Sequence, residues 1–220
     1  TTEIYTLSLH DALPIYQVTA PYSPDADQAG ARSLANVALG ILNRVDGGAQ
    51  AQAQFDAADN MTQQLAAFGC LLQAGQGDAA SKAFYDQWRH DRLVVDKWFM
   101  MQVANAEPKD AATTAQALTD HPDFTIRNPN RFRAVMGALV MNPAGFHDPS
   151  GQGYKVLTDW LMKLDPLNPQ TTARMCSAFE TWRRYDSDRE ALIRAELDRI
   201  LSLNGLSRDT REMVSRIRDA

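Results

Sequence analysis

The sequence is poor in the residues that build metal centres and active sites. It has two cysteines and four histidines in 220 residues. Cys70 and Cys176 lie in apolar, helix-like surroundings with no secretory signal ahead of them. They read as buried thiols in a reducing compartment, a disulfide being the alternative. Of His10, His90, His121 and His147, no two beyond residue 15 stand four apart, and none opens a His-Glu-x-x-His zinc motif. Their neighbouring cysteines and carboxylates lack metal-ligand spacing. His121, just before Pro122 at a helix end, reads as a cap on a backbone carbonyl. The chain also lacks a Gly-x-Ser-x-Gly elbow, a phosphate-binding glycine loop and a dinucleotide fingerprint. The sequence thus offers no catalytic residue and no metal ligand set of its own. Positive charge is scarce, 22 Lys and Arg against 27 Asp and Glu for a net −5, which argues against nucleic-acid binding. No apolar run reaches about 18 residues, so no segment is expected to span a membrane.

Hydrophobic residues make up 45% of the chain and charged residues 22%, which is ordinary globular usage with ample length for a core. Residues 1–15 (TTEIYTLSLHDALPI) differ from the rest. They have no basic n-region or cleavage site and resemble a translated sequencing-adapter remnant, so they read as a non-native leader. A short native strand or loop is the alternative. Residues 16–26 read as a linker and 27–220 as one helical domain. Helices are predicted near 27–44, 50–57, 60–75, 77–89, 91–105, 108–120, 129–141, 151–164, 169–183, 187–203 and 207–218. Phe132, Val135, Met136, Leu139 and Val140 form an apolar stripe at helical spacing. Past residue 25 no alternating strand pattern of useful length occurs.

Two helix starts stand out. Asn128-Pro129-Asn130-Arg131-Phe132-Arg133 and Asn168-Pro169-Gln170 each join a strong N-cap to a proline at the first helical position. They lie 40 residues apart (168 − 128), the period of armadillo or HEAT helix pairs. The predicted architecture is all-α, an irregular right-handed α-solenoid of paired antiparallel helices with a concave binding face. Both starts carry donor side chains near the positive helix end, a candidate carboxylate-binding wall. Gln170 and Arg174, at i and i+4, share a helix face. Arg133 lies at the edge of the apolar stripe, where its planar fork suits a carboxylate. The competing reading pairs Arg133 and Arg174 with acidic neighbours. Arg131 reads as structural.

Five spaced motifs together resemble one family. Asn60-Met61-Thr62, Asp96-Lys97-Trp98-Phe99, Asn128 to Arg133, Asn142-Pro143-Ala144-Gly145-Phe146-His147 and Arg183-Arg184-Tyr185-Asp186 occur in the order seen in the C-terminal helical domain of bacterial aminopeptidase N, the M1 family of zinc alanyl aminopeptidases. The resemblance covers about residues 22–220. It implies an α-superhelix that closes over an upstream catalytic domain, encloses a large cavity and limits substrates by size. It further implies that Arg133, Gln170 and Arg174 line that cavity and meet distal polar groups of the peptide. The family's Gly-Ala-Met-Glu-Asn and His-Glu-x-x-His motifs are missing from this sequence. Zinc is therefore expected in an upstream catalytic domain of the same polypeptide, with no cofactor in this chain, and the resemblance implies a bacterial cytoplasmic enzyme. The other motif residues read as scaffold, Trp98 and Phe99 filling core space and Asp96 pairing locally. A free-standing helical adaptor is the alternative, separated by the first helix, which a standalone solenoid would cap with polar residues. Ala29, Ala31, Leu34, Val37, Leu39 and Ile41 leave that helix apolar. An independent helical enzyme would need an acid–base pair, and none is evident.

Overall fold

The computed structural model describes Val18 and residues 20–220. The segment read as a leader, residues 1–15, lies outside the described residues, as do 16, 17 and 19 of the linker. Among the described residues every regular element is a helix. The chain divides into two compact units, Thr1–His90 and Asp91–Ala220.

The first unit holds α1 (Ala26–Asp46), α2 (Ala49–Ala57), α3 (Met61–Gln73) and α4 (Gly77–Trp88). Asp25 starts α1 by accepting the Gln28 backbone N–H at 2.9 Å. Gly47 ends it in the left-handed region at φ 64°, where a side chain would be strained. Asn60 caps α3 through the Gln63 N–H at 3.1 Å. The core is Leu39, Leu42, Phe55, Phe68, Leu71 and Phe84, with Phe68 stacked on Phe84 at 5.4 Å. Buried Gln64 accepts from Trp88 Nε1 at 2.9 Å and donates to Gln87 Oε1 at 2.8 Å, so its amide is satisfied. The opposite side of α1 is unusual. Leu34, Val37, Ile41 and Val45 are 46%, 57%, 48% and 53% exposed, and their spacing puts all four on one face. This helix is thus apolar on both faces, as a helix packed on two sides would be.

The second unit runs from α5 (Arg92–Ala104) through a 3₁₀ turn at Pro108–Asp110 into α6 (Ala111–Leu118). Helix α7 is composite: Pro129–Phe132, a π-helical turn Arg133–Gly137, then Ala138–Val140. There follow α8 (Pro143–Phe146), α9 (Gln152–Leu164), α10 (Pro169–Met175), 3₁₀ turns at Cys176–Phe179 and Trp182–Arg184, α11 (Ser187–Leu201) and α12 (Arg208–Asp219). Phe99, Phe132, Met136, Leu139, Phe146, Tyr154, Leu157, Phe179, Ile193 and Val214 are buried at its centre.

Three Asn-Pro caps organise this unit. Asn128 accepts the N–H groups of Asn130 and Arg131, at 3.0 and 3.4 Å. Asn168 accepts that of Thr171 at 3.0 Å. Asn142-Pro143 does more than mark a connection: it opens α8, Asn142 Oδ1 accepting the Gly145 N–H at 3.1 Å. Its amide also donates to the carbonyls of Val103 and Ala106 at 3.2 and 2.9 Å, which satisfies the free end of α5. The helix expected over 169–183 stops at Met175 and tightens into 3₁₀ geometry. At the far end, buried Asp165 accepts from the Ser207 N–H (2.8 Å), Ser207 Oγ (2.6 Å) and Thr210 Oγ1 (2.5 Å), tying α9 to the start of α12.

Arg131 is structural, as its position suggested. It is 5% exposed, its Nε lies 2.5 Å from Asp96 Oδ1, and its guanidinium rests 4.7 Å from the Phe99 ring centroid. Asp96 therefore pairs 35 residues away rather than locally. Trp98 and Phe99 are buried. His121 Nδ1 accepts the Asp123 N–H at 3.1 Å, and its ring packs on Trp98 at 5.0 Å. Both cysteines are buried and free. Burial, helped by Asp165, pushes the Cys176 thiol up to about 12, and burial also raises Cys70, so neither is a ready nucleophile at neutral pH.

Candidate functional site

Two of the three predicted contact residues meet in one groove. A cavity of about 490 Å³ lies in the second unit, lined by Met100 of α5, Arg133, Gly137 and Met141 from the α7 stretch, and Arg174 and Met175 of α10. Arg133 is the first residue of the π turn. Such a turn is wider than an α turn and often marks a functional position. Its side chain is exposed, with Nη1 3.4 Å from Asn130 Oδ1. Arg174 is exposed and sits in the last turn of its seven-residue helix.

That placement corrects one expectation. Arg174 does not stand at a positive helix end, because α10 gives way to the 3₁₀ turn only one residue later. Anion attraction in this groove comes from the guanidinium charges, with no help from the α10 dipole. Gln170 is exposed on the first turn of α10 and is not among the lining residues of the groove. Four residues advance a helix by about 6 Å, enough to carry it past the edge. The structure thus brings Arg133 and Arg174 together and leaves Gln170 outside.

The competing reading, pairing with acidic neighbours, is not what the structure shows. Among the described residues no carboxylate lies within ion-pair distance of Arg133 or Arg174, whereas Arg131, Arg189, Arg199 and Arg218 all make such pairs. No acidic side chain lines the groove. Apart from Ser177 the remaining wall is apolar, three of its residues being methionines, and Met141 is 68% exposed. Helical periodicity alone does not single out these thioethers. The available signal is Met141 directly before the Asn142-Pro143 cap, where a helix end leaves a large apolar residue in solvent.

His147 serves packing. His147 Nδ1 lies 2.9 Å from the Tyr154 hydroxyl and Nε2 lies 2.8 Å from that of Tyr185. A neutral imidazole meets both, accepting from one tyrosine and donating to the other. Burial, then the Arg189 charge, lowers its pKa below the usual 6.5. The folded state therefore favours the neutral ring, and the unfolded chain takes up its proton first as pH falls. This contribution to stability is complete above about 6.5 and is lost as pH drops toward the lower folded value. Urea midpoints measured from pH 7.5 to 5 should fall, and His147→Gln should flatten that slope; an unchanged slope would remove His147 as its source. Among the described residues no group of three His, Cys, Asp or Glu side chains is placed to hold a metal. They do not fit a zinc site.

The match to known proteins covers nearly the whole chain. The model of a domain of unknown function (DUF3458_C), described as ARM repeats, matches residues 5–219. The chain belongs to this family. Its all-α, ARM-like architecture agrees with the helix pairs expected from the 40-residue spacing. The chain is 38% identical over 206 residues to aminopeptidase N of Caulobacter vibrioides, a match covering 91% of this chain and 24% of that protein. It is 37% identical to aminopeptidase N of Escherichia coli, over 74% of this chain and 19% of that protein. A solved structure of Legionella pneumophila aminopeptidase A, in complex with aspartic acid, superposes with a TM-score of 0.90 at 30% identity. That alignment spans 99% of this chain and 27% of the Legionella protein. The chain therefore spans about a quarter of the length of the relatives it matches.

Proposed function

We propose that this DUF3458_C domain is the non-catalytic C-terminal part of a bacterial zinc aminopeptidase that removes N-terminal residues from peptides. In this reading zinc and the hydrolytic groups belong to an upstream catalytic domain in the same cytoplasmic polypeptide. This domain helps enclose the substrate cavity and holds the distal end of the peptide. The observation that carries the reading is the meeting of Arg133 and Arg174, from separate helices and without carboxylate partners, on one groove. Two planar forks on one wall can each make charge-assisted hydrogen bonds to a carboxylate or to peptide carbonyls. Gln170, one turn before Arg174, is the third proposed contact, exposed outside the groove lining.

The outer face of α1 supports the attachment. Leu34, Val37, Ile41 and Val45 form an exposed aliphatic stripe where a free-standing solenoid would carry polar residues. A stripe of this kind fits burial against a preceding domain better than it fits an adaptor open to solvent.

The test uses the full-length enzyme carrying Arg174→Ala. Loss of a charge-assisted contact should raise KM for a tetrapeptide about tenfold, while turnover of a small chromogenic amide stays within about twofold. Equal losses on both substrates would rule out the distal-contact role.

A further inference from the structure

The groove is amphipathic, and its apolar half has no role in holding a carboxylate. Two guanidiniums stand on one cavity whose other walls include Met100, Met141, Met175 and Val140, with no acidic side chain among them. Met141 is 68% exposed, the one methionine among the large exposed hydrophobic side chains of the described residues. Met100, Val140 and Met175 are only half-buried on the same cavity, so with Met141 they make a contiguous apolar wall in solvent, the kind of surface that an apolar group covers on binding. Methionine is unbranched and polarisable, so its surface adapts to apolar groups of different shape.

We infer that this groove selects the C-terminal residue of a peptide, its two arginines taking the terminal carboxylate while Met141 and Met175 cover a bulky apolar side chain on the same residue. This rests on the reading of the groove as a peptide contact and adds which peptides it prefers. The juxtaposition decides the ligand class. A free anion would leave the methionine wall uncovered, and an internal hydrophobic segment would offer the guanidiniums neutral carbonyls but no counter-charge. A carboxylate and an apolar side chain on one carbon atom, as at the end of a peptide, meet both halves at once. The arginines discriminate an acid from an amide, and the methionines discriminate leucine from glycine.

The 220-residue chain, labelled with ¹³C in its methionine methyl groups, would be titrated with Ala-Ala-Leu, Ala-Ala-Gly and Ala-Ala-Leu amide while its methyl resonances are followed. Ala-Ala-Leu should shift the Met141 and Met175 signals with a half-saturation about tenfold lower than Ala-Ala-Gly, the worth of partly burying a leucine side chain. The amide should bind at least tenfold more weakly than the acid. Met141→Gln, an exposed position where folding is checked by circular dichroism, should reduce the leucine-to-glycine ratio to about two to three and leave Ala-Ala-Gly unchanged. Equal half-saturation for Ala-Ala-Leu and Ala-Ala-Gly would overturn the apolar selection and leave the peptide-contact reading standing. Equal binding of acid and amide, or a full tenfold ratio retained in Met141→Gln, would overturn the assignment of the two halves. No shift with any of the three peptides would overturn both this inference and the peptide-contact reading.

Discussion

Gly153→Ala is expected to destabilise the second unit by about 3 kcal/mol, at the upper end of what overpacking usually costs. Gly153 lies in the first turn of α9, and a Cβ there would come within 2.4 Å of the Phe146 carbonyl oxygen and 2.8 Å of its Cα. Those are backbone atoms, so no rotamer change relieves the overlap and α8 and α9 must separate. The separation would open the ring cluster of Phe146, Tyr154 and Phe179, whose centroids lie 5.2 to 6.3 Å apart, and would pull His147 from its tyrosines. For a chain of this length the change corresponds to a drop of about 10 °C in Tm. Gly40→Ala is the matched control. It lies inside α1 with nothing within 4 Å of the added methyl, so it should stabilise by about 0.5–1 kcal/mol. Thermal unfolding of both variants decides the matter, and a Gly153→Ala variant as stable as the parent would show that α8 and α9 do not approach so closely in solution.

The second large effect is expected from Arg131→Ala. Its guanidinium serves three acceptors at once: Asp96 Oδ1 at 2.5 Å, the Asp123 carbonyl, and the Arg92 carbonyl at 3.5 Å. Removing it leaves the Asp96 carboxylate, 17% exposed, without its counter-charge, and exposes a void over the Phe99 ring. Breaking one side of a buried pair costs about 3–5 kcal/mol. Arg131→Lys should recover little, because an ammonium has neither the planar fork nor the stacking face. Adding Asp96→Ala to Arg131→Ala should cost less than the sum of the two single changes, since the second substitution removes the stranded charge. Additive losses in urea titration would mean that the pair is not coupled. Arg133→Ala, two residues on, should be nearly neutral in the same assay. Its side chain is exposed and its one polar contact is long, at 3.4 Å.

The contrast between these two arginines shows what can be read from sequence. Arg131 and Arg133 flank the Phe132–Val140 stripe on opposite sides. The sequence reads Arg131 as structural while leaving Arg133 open between a ligand and an acidic neighbour, which the fold decides by burying Arg131 and leaving Arg133 exposed. Helix starts are equally legible, because a cap is a local contact: Asp25, Asn60, Asn128, Asn168 and Ser207 each accept an N–H within three residues. Partners across the chain are not. The position of Asp96 inside a helix suggests a local pair, yet it meets Arg131. Asn142-Pro143 reads as punctuation, although the Asn142 amide closes the end of α5. Both contacts depend on packing between helices, which a one-dimensional pattern does not specify. The break after Met175 has the same character. No glycine or proline interrupts residues 170–183, and the tightening to 3₁₀ geometry places Cys176 and Phe179 in the core. In the groove, Arg133 and Arg174 are legible as cationic positions a few residues after two Asn-Pro caps. The exclusion of Gln170 and the methionine wall require the three-dimensional placement of α5, α7 and α10.

The π-helical turn at Arg133–Gly137 gives the groove an unusual evolutionary lever. A π turn accommodates about one residue more than an α turn, so a one-residue change in length is enough to convert between the two. Losing one codon within residues 133–137 would restore ordinary helical register and rotate the N-terminal part of α7 against its C-terminal part by about 100°. Arg133 opens that turn and Met141 lies beyond its end. Their shared orientation toward one ligand can therefore be made or lost by a single-codon gain or deletion, with both residues retained in the sequence.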